Sequence, residues 1–289
     1  MIHSLRVQLK AMFIRKEYVC AAFFTAAFAC ISFCLCLSDC QGTDLALIKD
    51  ANQMVCFSQT NRLWLFFYYI YPFLAVLPAA ASYIDDFENG LLPAYLSRTS
   101  RKDYYVSKVA ACFIGTALVM FIPFLINLLF CNLFFPHNAN TWYGEYQMGN
   151  YYRQLLGMNL LYRTDYAGTP MLKLLLLSPF LYNLVFLVFF SAFTGLLGAL
   201  IMSVSFMFRI KRILLFIPLF LLFHAAHTFD AFIFTEALSG NACYKNYKIM
   251  DYITPNLFHG QDYRMFLLFT CVIAAAITGF TAYGIKQDL

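Results

Sequence analysis

Two histidines and an aspartate recur at helical spacing within a long apolar run. In FHAAHTFD, His224, His227 and Asp230 are three residues apart, so on a helix they lie along one side. Imidazole and carboxylate groups in this pattern could bind a metal ion or relay a proton inside a membrane. Asp230 falls near the predicted end of the run, where water and headgroups lower the cost of a charge. We therefore favour a polar lip or hydrogen bonds between helices over a metal site.

A second concentration of functional groups lies in SYIDDFENGLLPAYLSRTSRKDYYVSK, residues 82–108. Acidic residues up to Glu88 precede Gly90, and basic residues follow, in a chain that otherwise carries few charges. Such a segment could bind a soluble partner, because complementary charges provide specificity and register. The alternative is that the basic residues only set membrane topology and attract anionic lipid.

The composition indicates the class of protein that must position these groups. Hydrophobic residues make up 62% of the chain and charged residues 12%, whereas about a quarter of the residues in soluble domains are charged. Six apolar runs are each long enough to cross a bilayer core of about 30 Å as a helix. The sequence therefore predicts an all-α integral membrane protein with one domain over residues 1–289. The predicted spans are residues 18–37, 63–83, 109–135, 179–208, 213–232 and 266–284.

Residues 1–17 precede the first span and are amphipathic. Leu5, Leu9, Met12 and Phe13 recur at helical intervals, and most basic residues lie elsewhere on the helical wheel. This pattern predicts an interfacial helix in the headgroup layer that contacts membrane lipid. A short cytosolic helix with a basic face is the alternative.

The distribution of lysine and arginine predicts the orientation. One side of the membrane would hold twelve basic residues in short segments, and the other eight in longer loops. The positive-inside rule then places both termini and residues 84–108 in the cytoplasm, and residues 136–178 and 233–265 outside. The net charge of +5 reflects this asymmetry and does not indicate nucleic acid binding.

Small residues and cysteines form the remaining patterns. Small residues every four positions allow helices to pack closely in lipid; they are Ser191, Gly195, Ala199 and Ser203 in the fourth span, and Cys271, Ala275 and Gly279 in the sixth. Cys40 and Cys56 flank the first outer loop and could form a disulfide if the outer compartment is oxidising, with free thiols as the alternative. No cysteine spacing is typical of a zinc site.

Recognised catalytic motifs are absent from the sequence. It contains no G-x-x-x-x-G-K-[ST] phosphate loop, no H-E-x-x-H and no G-x-S-x-G. We therefore expect neither a catalytic residue nor a bound cofactor in this chain.

Residues 82–108 resemble the cytoplasmic loop between the second and third spans of permease subunits in the second ABC exporter family. That loop often combines an acid, a glycine, a leucine-rich turn, an arginine, and then a tyrosine and a lysine entering the third span. The corresponding residues here are Glu88, Gly90, Leu91, Leu92, Leu96, Arg98, Tyr105 and Lys108. Together with Asp85 and Asp86, which belong to the acidic cluster that ends at Glu88, they are the predicted docking residues. The six predicted spans and the amphipathic start extend the resemblance to the whole chain. Pro93, inside the expected coupling helix, and the long outer loops depart from the family pattern.

The resemblance implies a permease subunit in a bacterial cytoplasmic membrane that exports a hydrophobic or amphipathic substrate such as a lipid, a peptide or an antimicrobial compound. It also implies two copies of a separate ATP-binding subunit, docked on residues 84–108 and holding the ATP and magnesium. A second permease copy, or a related permease, would complete the unit. Two alternatives remain open: an intramembrane metalloenzyme using His224, His227 and Asp230, and a membrane scaffold or sensor that transports nothing.

Overall fold

The structure is a computed structural model that describes residues 2–43, 48, 50–58, 61–78, 80–137, 174, 177–208, 212–238, 249–255 and 263–287. Within these residues the fold is helical and contains no strand. The helices are α1 (Ile2–Phe13), α2 (Lys16–Cys40), α3 (Trp64–Val76), α4 (Ser82–Glu88), α5 (Leu92–Leu96), α6 (Arg101–Phe134), α7 (Pro179–Met207), α8 (Ile217–Leu238), α9 (Ile249–Ile253) and α10 (Tyr263–Gln287), with a 3₁₀ turn at Arg212–Leu215 before α8.

Among the described residues, four helices are long and apolar enough to cross a membrane: α2, α6, α7 and most of α10. Two further apolar helices, α3 and the first part of α8, are shorter. These features identify a multi-pass membrane protein. The count of six spans and the orientation of the termini remain predictions.

The second predicted span, residues 63–83, is not one continuous helix. α3 has 13 residues, which corresponds to about 20 Å of rise and is shorter than a bilayer core. Pro78 follows it, and proline has no backbone N–H to continue the ladder of hydrogen bonds. A turn therefore separates α3 from α4, which carries Asp85 and Asp86.

The segment predicted as a cytoplasmic loop, residues 84–108, is mostly helical. α6 begins at Arg101 rather than near residue 109, because Ser100 caps it and its hydroxyl accepts a hydrogen bond from the Asp103 N–H at 3.1 Å. Tyr105 and Lys108 therefore lie in the first turns of α6. Pro93 does not divide the short helix α5 but lies in its first turn, where a missing N–H costs little.

α7 packs most extensively against α6 and also contacts α3 and α10. Gly195 of α7 allows a close approach to the backbone of α6, since a Cβ at position 195 would lie 2.6 Å from the carbonyl oxygen of Phe113. Aromatic rings fill the space between the helices. Phe124 of α6 has its ring centre 5.5 Å from that of Phe67 and 5.8 Å from that of Phe190.

α1 packs along α6 through a face that is partly polar. The Ser4 and Ser107 hydroxyls are hydrogen-bonded at 2.8 Å, and Met12 lies directly over Gly115. The opposite face exposes Ile2 and Val7. The predicted apolar face is therefore divided, because Met12 is buried against α6 whereas Phe13 remains exposed.

Candidate functional site

The connector, residues 87–102, begins with a left-handed turn at the end of α4. Gly90 has a φ of 66°, a conformation that side chains with a Cβ rarely adopt. Its N–H donates to the Phe87 carbonyl at 3.1 Å, and the Leu91 N–H donates to the Asp86 carbonyl at 2.9 Å. These two bonds form a Schellman motif, which terminates α4 and redirects the chain into α5.

The connector presents both charged and apolar groups to the surroundings. Glu88 and Arg98 are exposed, and Phe87 and Leu91 expose 38% and 44% of their surface. Leu92 is buried and Leu96 is half-buried, because both pack against the first turns of α6. The outer face of the connector is thus exposed, while its inner face packs against α6.

A buried ionic cluster lies directly behind the connector. Arg15, between α1 and α2, donates to Asp85 Oδ2 at 2.6 Å and to Asp86 Oδ1 at 3.1 Å. A third bond, at 3.2 Å, joins the Arg15 guanidinium to the Ser82 carbonyl. Arg15 therefore joins the start of the first long helix to α4.

The other oxygen of Asp86 binds α6. Tyr104 donates its hydroxyl to Asp86 Oδ2 at 2.8 Å, and the Lys108 ammonium forms an ion pair with the same atom. Asp86 and Lys108 are only 2% and 4% exposed. We call Arg15, Asp85, Asp86, Tyr104 and Lys108 the Asp86 network. In a low-dielectric interior, such charges are tolerated only when they are paired and hydrogen-bonded.

Tyr95 connects α5 to this network. Its ring centre lies 5.7 Å from that of Tyr104. Burial, and secondarily the negative charge of Asp86, raise the pKa of Tyr95, so the phenol stays neutral at physiological pH. α5 is therefore held against the network by an uncharged aromatic contact.

The structure separates the ten predicted docking residues into two groups. Glu88, Gly90, Leu91 and Arg98 face outward, whereas the other six are buried or half-buried. These six are Asp85, Asp86, Leu92, Leu96, Tyr105 and Lys108. The inward group is available to hold the connector and not to contact a partner.

Three members of this site, Arg15, Tyr95 and Tyr104, are not among the site residues predicted from the sequence. One available signal was the spacing of Tyr104 and Lys108, which places both side chains on the same face of a helix. The pairing of Arg15 with acids 70 and 71 residues away had no local signal.

His224 and His227 do not form a metal site with each other, because their side chains lie in different surroundings. His224 is exposed and stacks parallel to Phe220, whereas His227 packs beside Tyr68 with a ring separation of 5.4 Å. Nδ1 of His227 is buried without a hydrogen-bond partner. In the part of the chain that the structure describes, no three His, Cys, Asp or Glu side chains are arranged to bind a metal ion. The Asp230 side chain lies outside that part.

The two stripes of small residues have different surroundings. Ser191, Gly195, Ala199 and Ser203 are all buried in α7. Cys271, Ala275 and Gly279 face outward from α10, and a Cβ at Gly279 would meet nothing within 4 Å. The first stripe packs inside the chain, and the second lies open to lipid or to another subunit.

The predicted disulfide between Cys40 and Cys56 is absent from the structure. Cys56 is a free and fully buried thiol. It lies in a segment between α2 and α3 that packs inward, with Cys36 and Cys131 as its neighbouring thiols. The thiols of Cys40 and Cys56 are both reduced in the structure, so the predicted pair is not formed there.

Comparisons with models of protein families, with curated proteins and with solved structures find no match for this chain.

Proposed function

We propose that this chain is the transmembrane permease subunit of an ABC exporter, and that the exposed face of the connector docks a separate ATP-binding subunit. The observation that carries the proposal is the combination of an exposed connector with the Asp86 network behind it. Glu88, Leu91 and Arg98 offer charged and apolar contacts to a soluble protein, a mixture that is typical of protein interfaces.

The Asp86 network supplies the mechanical part of the proposal. A force applied to the connector acts on α4, because the Schellman motif at Gly90 fixes the end of that helix. From α4 it reaches α6 through Lys108 and Tyr104, and it reaches the start of α2 through Arg15. Movement of a docked ATPase would therefore reorient two long helices together.

The proposed source of energy and stoichiometry are those that the family resemblance implies. The chain has no phosphate loop of its own, so ATP and magnesium would be bound by the partner. Two ATP-binding subunits and two permeases, identical or related, would form the unit in a bacterial cytoplasmic membrane. The substrate would be a hydrophobic or amphipathic molecule that leaves the cell between the two permeases.

Purification of the full-length chain from membranes of its source organism tests this proposal. We expect one protein with a G-x-x-x-x-G-K-[ST] loop to accompany each permease chain, and the complex to hydrolyse ATP. Mass spectrometry identifies and quantifies the partner. If the tagged chain is functional in the cell but purifies without such a protein, the proposal is contradicted and a scaffold or sensor is favoured.

A further inference from the structure

Residues 50–58, which we call the plug, fill the interior at the end of the helices away from the Asp86 network. Nineteen residues of α6 separate Lys108 from Asn127, which contacts the plug; this corresponds to about 28 Å of helix. The plug is irregular rather than helical. Ala51, Val55, Cys56 and Phe57 within it are nevertheless completely buried.

Side chains from two long helices bind the backbone of the plug. Asn127 of α6 accepts a hydrogen bond from the Cys56 N–H at 3.0 Å, while its amide group donates to the Ala29 carbonyl of α2 at 3.0 Å. Asn183 of α7 donates to the Asn52 carbonyl at 2.9 Å. These amides satisfy backbone groups that would otherwise be costly to bury.

The helix surfaces that contact the plug carry buried polar side chains. Asn127 and Asn183 in the surrounding helices are at most 3% exposed, as is Ser32 of α2, and Asp50 at the start of the plug is 1% exposed. An irregular segment can be buried only where its backbone groups are hydrogen-bonded, and here side chains of α6 and α7 supply bonds that secondary structure would supply elsewhere. With the plug withdrawn, the same walls would line a space that water could enter between α2, α6 and α7.

We propose that the plug is a gate, seated in this structure, which leaves its polar seat to open a path between α2, α6 and α7. In the predicted topology this end of the helices faces outward, so the gate would control release of substrate. This inference deepens the proposed transport function and depends on it for its purpose. The opening itself can be measured without a partner ATPase or a transport assay.

Cys56 is a natural reporter of the gate. Burial raises the pKa of its thiol well above the usual value, so the reactive thiolate is scarce while the plug is seated. Withdrawal would expose the thiol and restore its reactivity. Cys112 provides the control, since it is also buried but lies near the Asp86 network at the other end of α6.

The experiment measures alkylation of Cys56 by a hydrophilic maleimide in the full chain, reconstituted in lipid nanodiscs that leave both faces accessible. Asn127→Ala and Asn183→Ala each remove a bond to the plug. Asn132→Ala is the matched control, because Asn132 binds only the Leu128 carbonyl of its own helix in the described contacts. Mass spectrometry gives the rate at each cysteine.

We expect Cys56 to react about tenfold faster in Asn127→Ala and Asn183→Ala, which corresponds to about 1.4 kcal/mol in the opening equilibrium. Its rate in Asn132→Ala, and the Cys112 rate in every variant, should match the parent. An unchanged Cys56 rate in either seat variant would overturn the gate, and so would a parallel rise at Cys112. In the parent, amides 51–58 should exchange hydrogen faster than those of α6 beside them, and equal protection would also overturn it.

Discussion

Lys108 and Asp86 form an ion pair that is sealed inside the protein and joins α6 to α4. The same carboxylate accepts hydrogen bonds from Arg15 and Tyr104, so one side chain connects three separate parts of the chain. Charged residues that the sequence predicts to lie beside the membrane surface thus pair with one another inside the protein. The exposed connector begins immediately after this anchor.

Replacement of Lys108 by Ala should destabilise the protein by about 3 kcal/mol. This is the lower end of the cost of removing one partner from a buried ion pair, because Arg15 and Tyr104 still compensate Asp86. Unfolding in detergent by heat or denaturant measures the loss. Lys102→Ala is the control, since Lys102 is exposed, and should change stability by no more than about 0.5 kcal/mol. Equal stabilities of the two variants would show that the pair is not an anchor.

Gly90→Val should disorder the connector, whereas Gly90→Asn should be tolerated. A Cβ at position 90 would meet nothing within 4 Å, so the difference can arise only from the left-handed backbone, which asparagine adopts more readily than valine. Limited trypsin digestion at Arg98 and Arg101 reports connector order, and we expect faster cleavage in Gly90→Val alone. The same cleavage rate in both variants would mean that the Schellman motif does not hold the connector.

The contrast between Gly90 and Asp86 indicates how much of the site could be predicted from sequence. The glycine after an acidic helix, the serine before RKD and the long apolar runs carry local signals, and the helices α2, α6, α7 and α10 follow from them. The burial of Asp86 and Lys108 depends on partners from distant segments, which no local periodicity encodes. For the same reason, the sequence of residues 50–58 does not indicate that Asn127 and Asn183 hold this segment inside.

The break after α3 had a different cause. Hydropathy alone made residues 63–83 one span, because proline is compatible with an apolar average. Pro78 lacks the N–H that would bond the Leu74 carbonyl, and α3 ends at Val76, before the turn that leads to α4. Hydropathy therefore identifies the apolar residues of this segment but does not show where the helix ends.

Replacing both His224 and His227 by Asn should leave stability within about 1 kcal/mol of the parent. His224 faces outward and His227 contacts Tyr68 through its ring, and neither forms an ion pair within the part of the chain that the structure describes. Elemental analysis of the purified parent should find no stoichiometric zinc. One zinc per chain in the parent, lost in the double variant, would favour the metalloenzyme.

A reporter fused after Leu289 should lie in the cytoplasm, and a tag inserted near Asn140 should be accessible from outside intact cells. Both positions lie outside the described residues, and the expectation follows from the distribution of lysine and arginine. Antibody labelling before and after permeabilisation distinguishes the two sides. Protection of the Asn140 tag in intact cells would reverse the topology and would place the connector on the wrong side for a cytoplasmic ATPase.

Charge reversal in the connector tests the central claim most directly. Arg98 and Lys102 are both exposed and belong to the same segment, but only Arg98 belongs to the proposed docking face. Arg98→Glu should release most of the ATP-binding subunit during affinity purification, because a like charge at an interface costs several kcal/mol, whereas Lys102→Glu should retain it at the parental ratio. Equal retention in both variants, with the permease inserted and stable, would contradict docking at the connector.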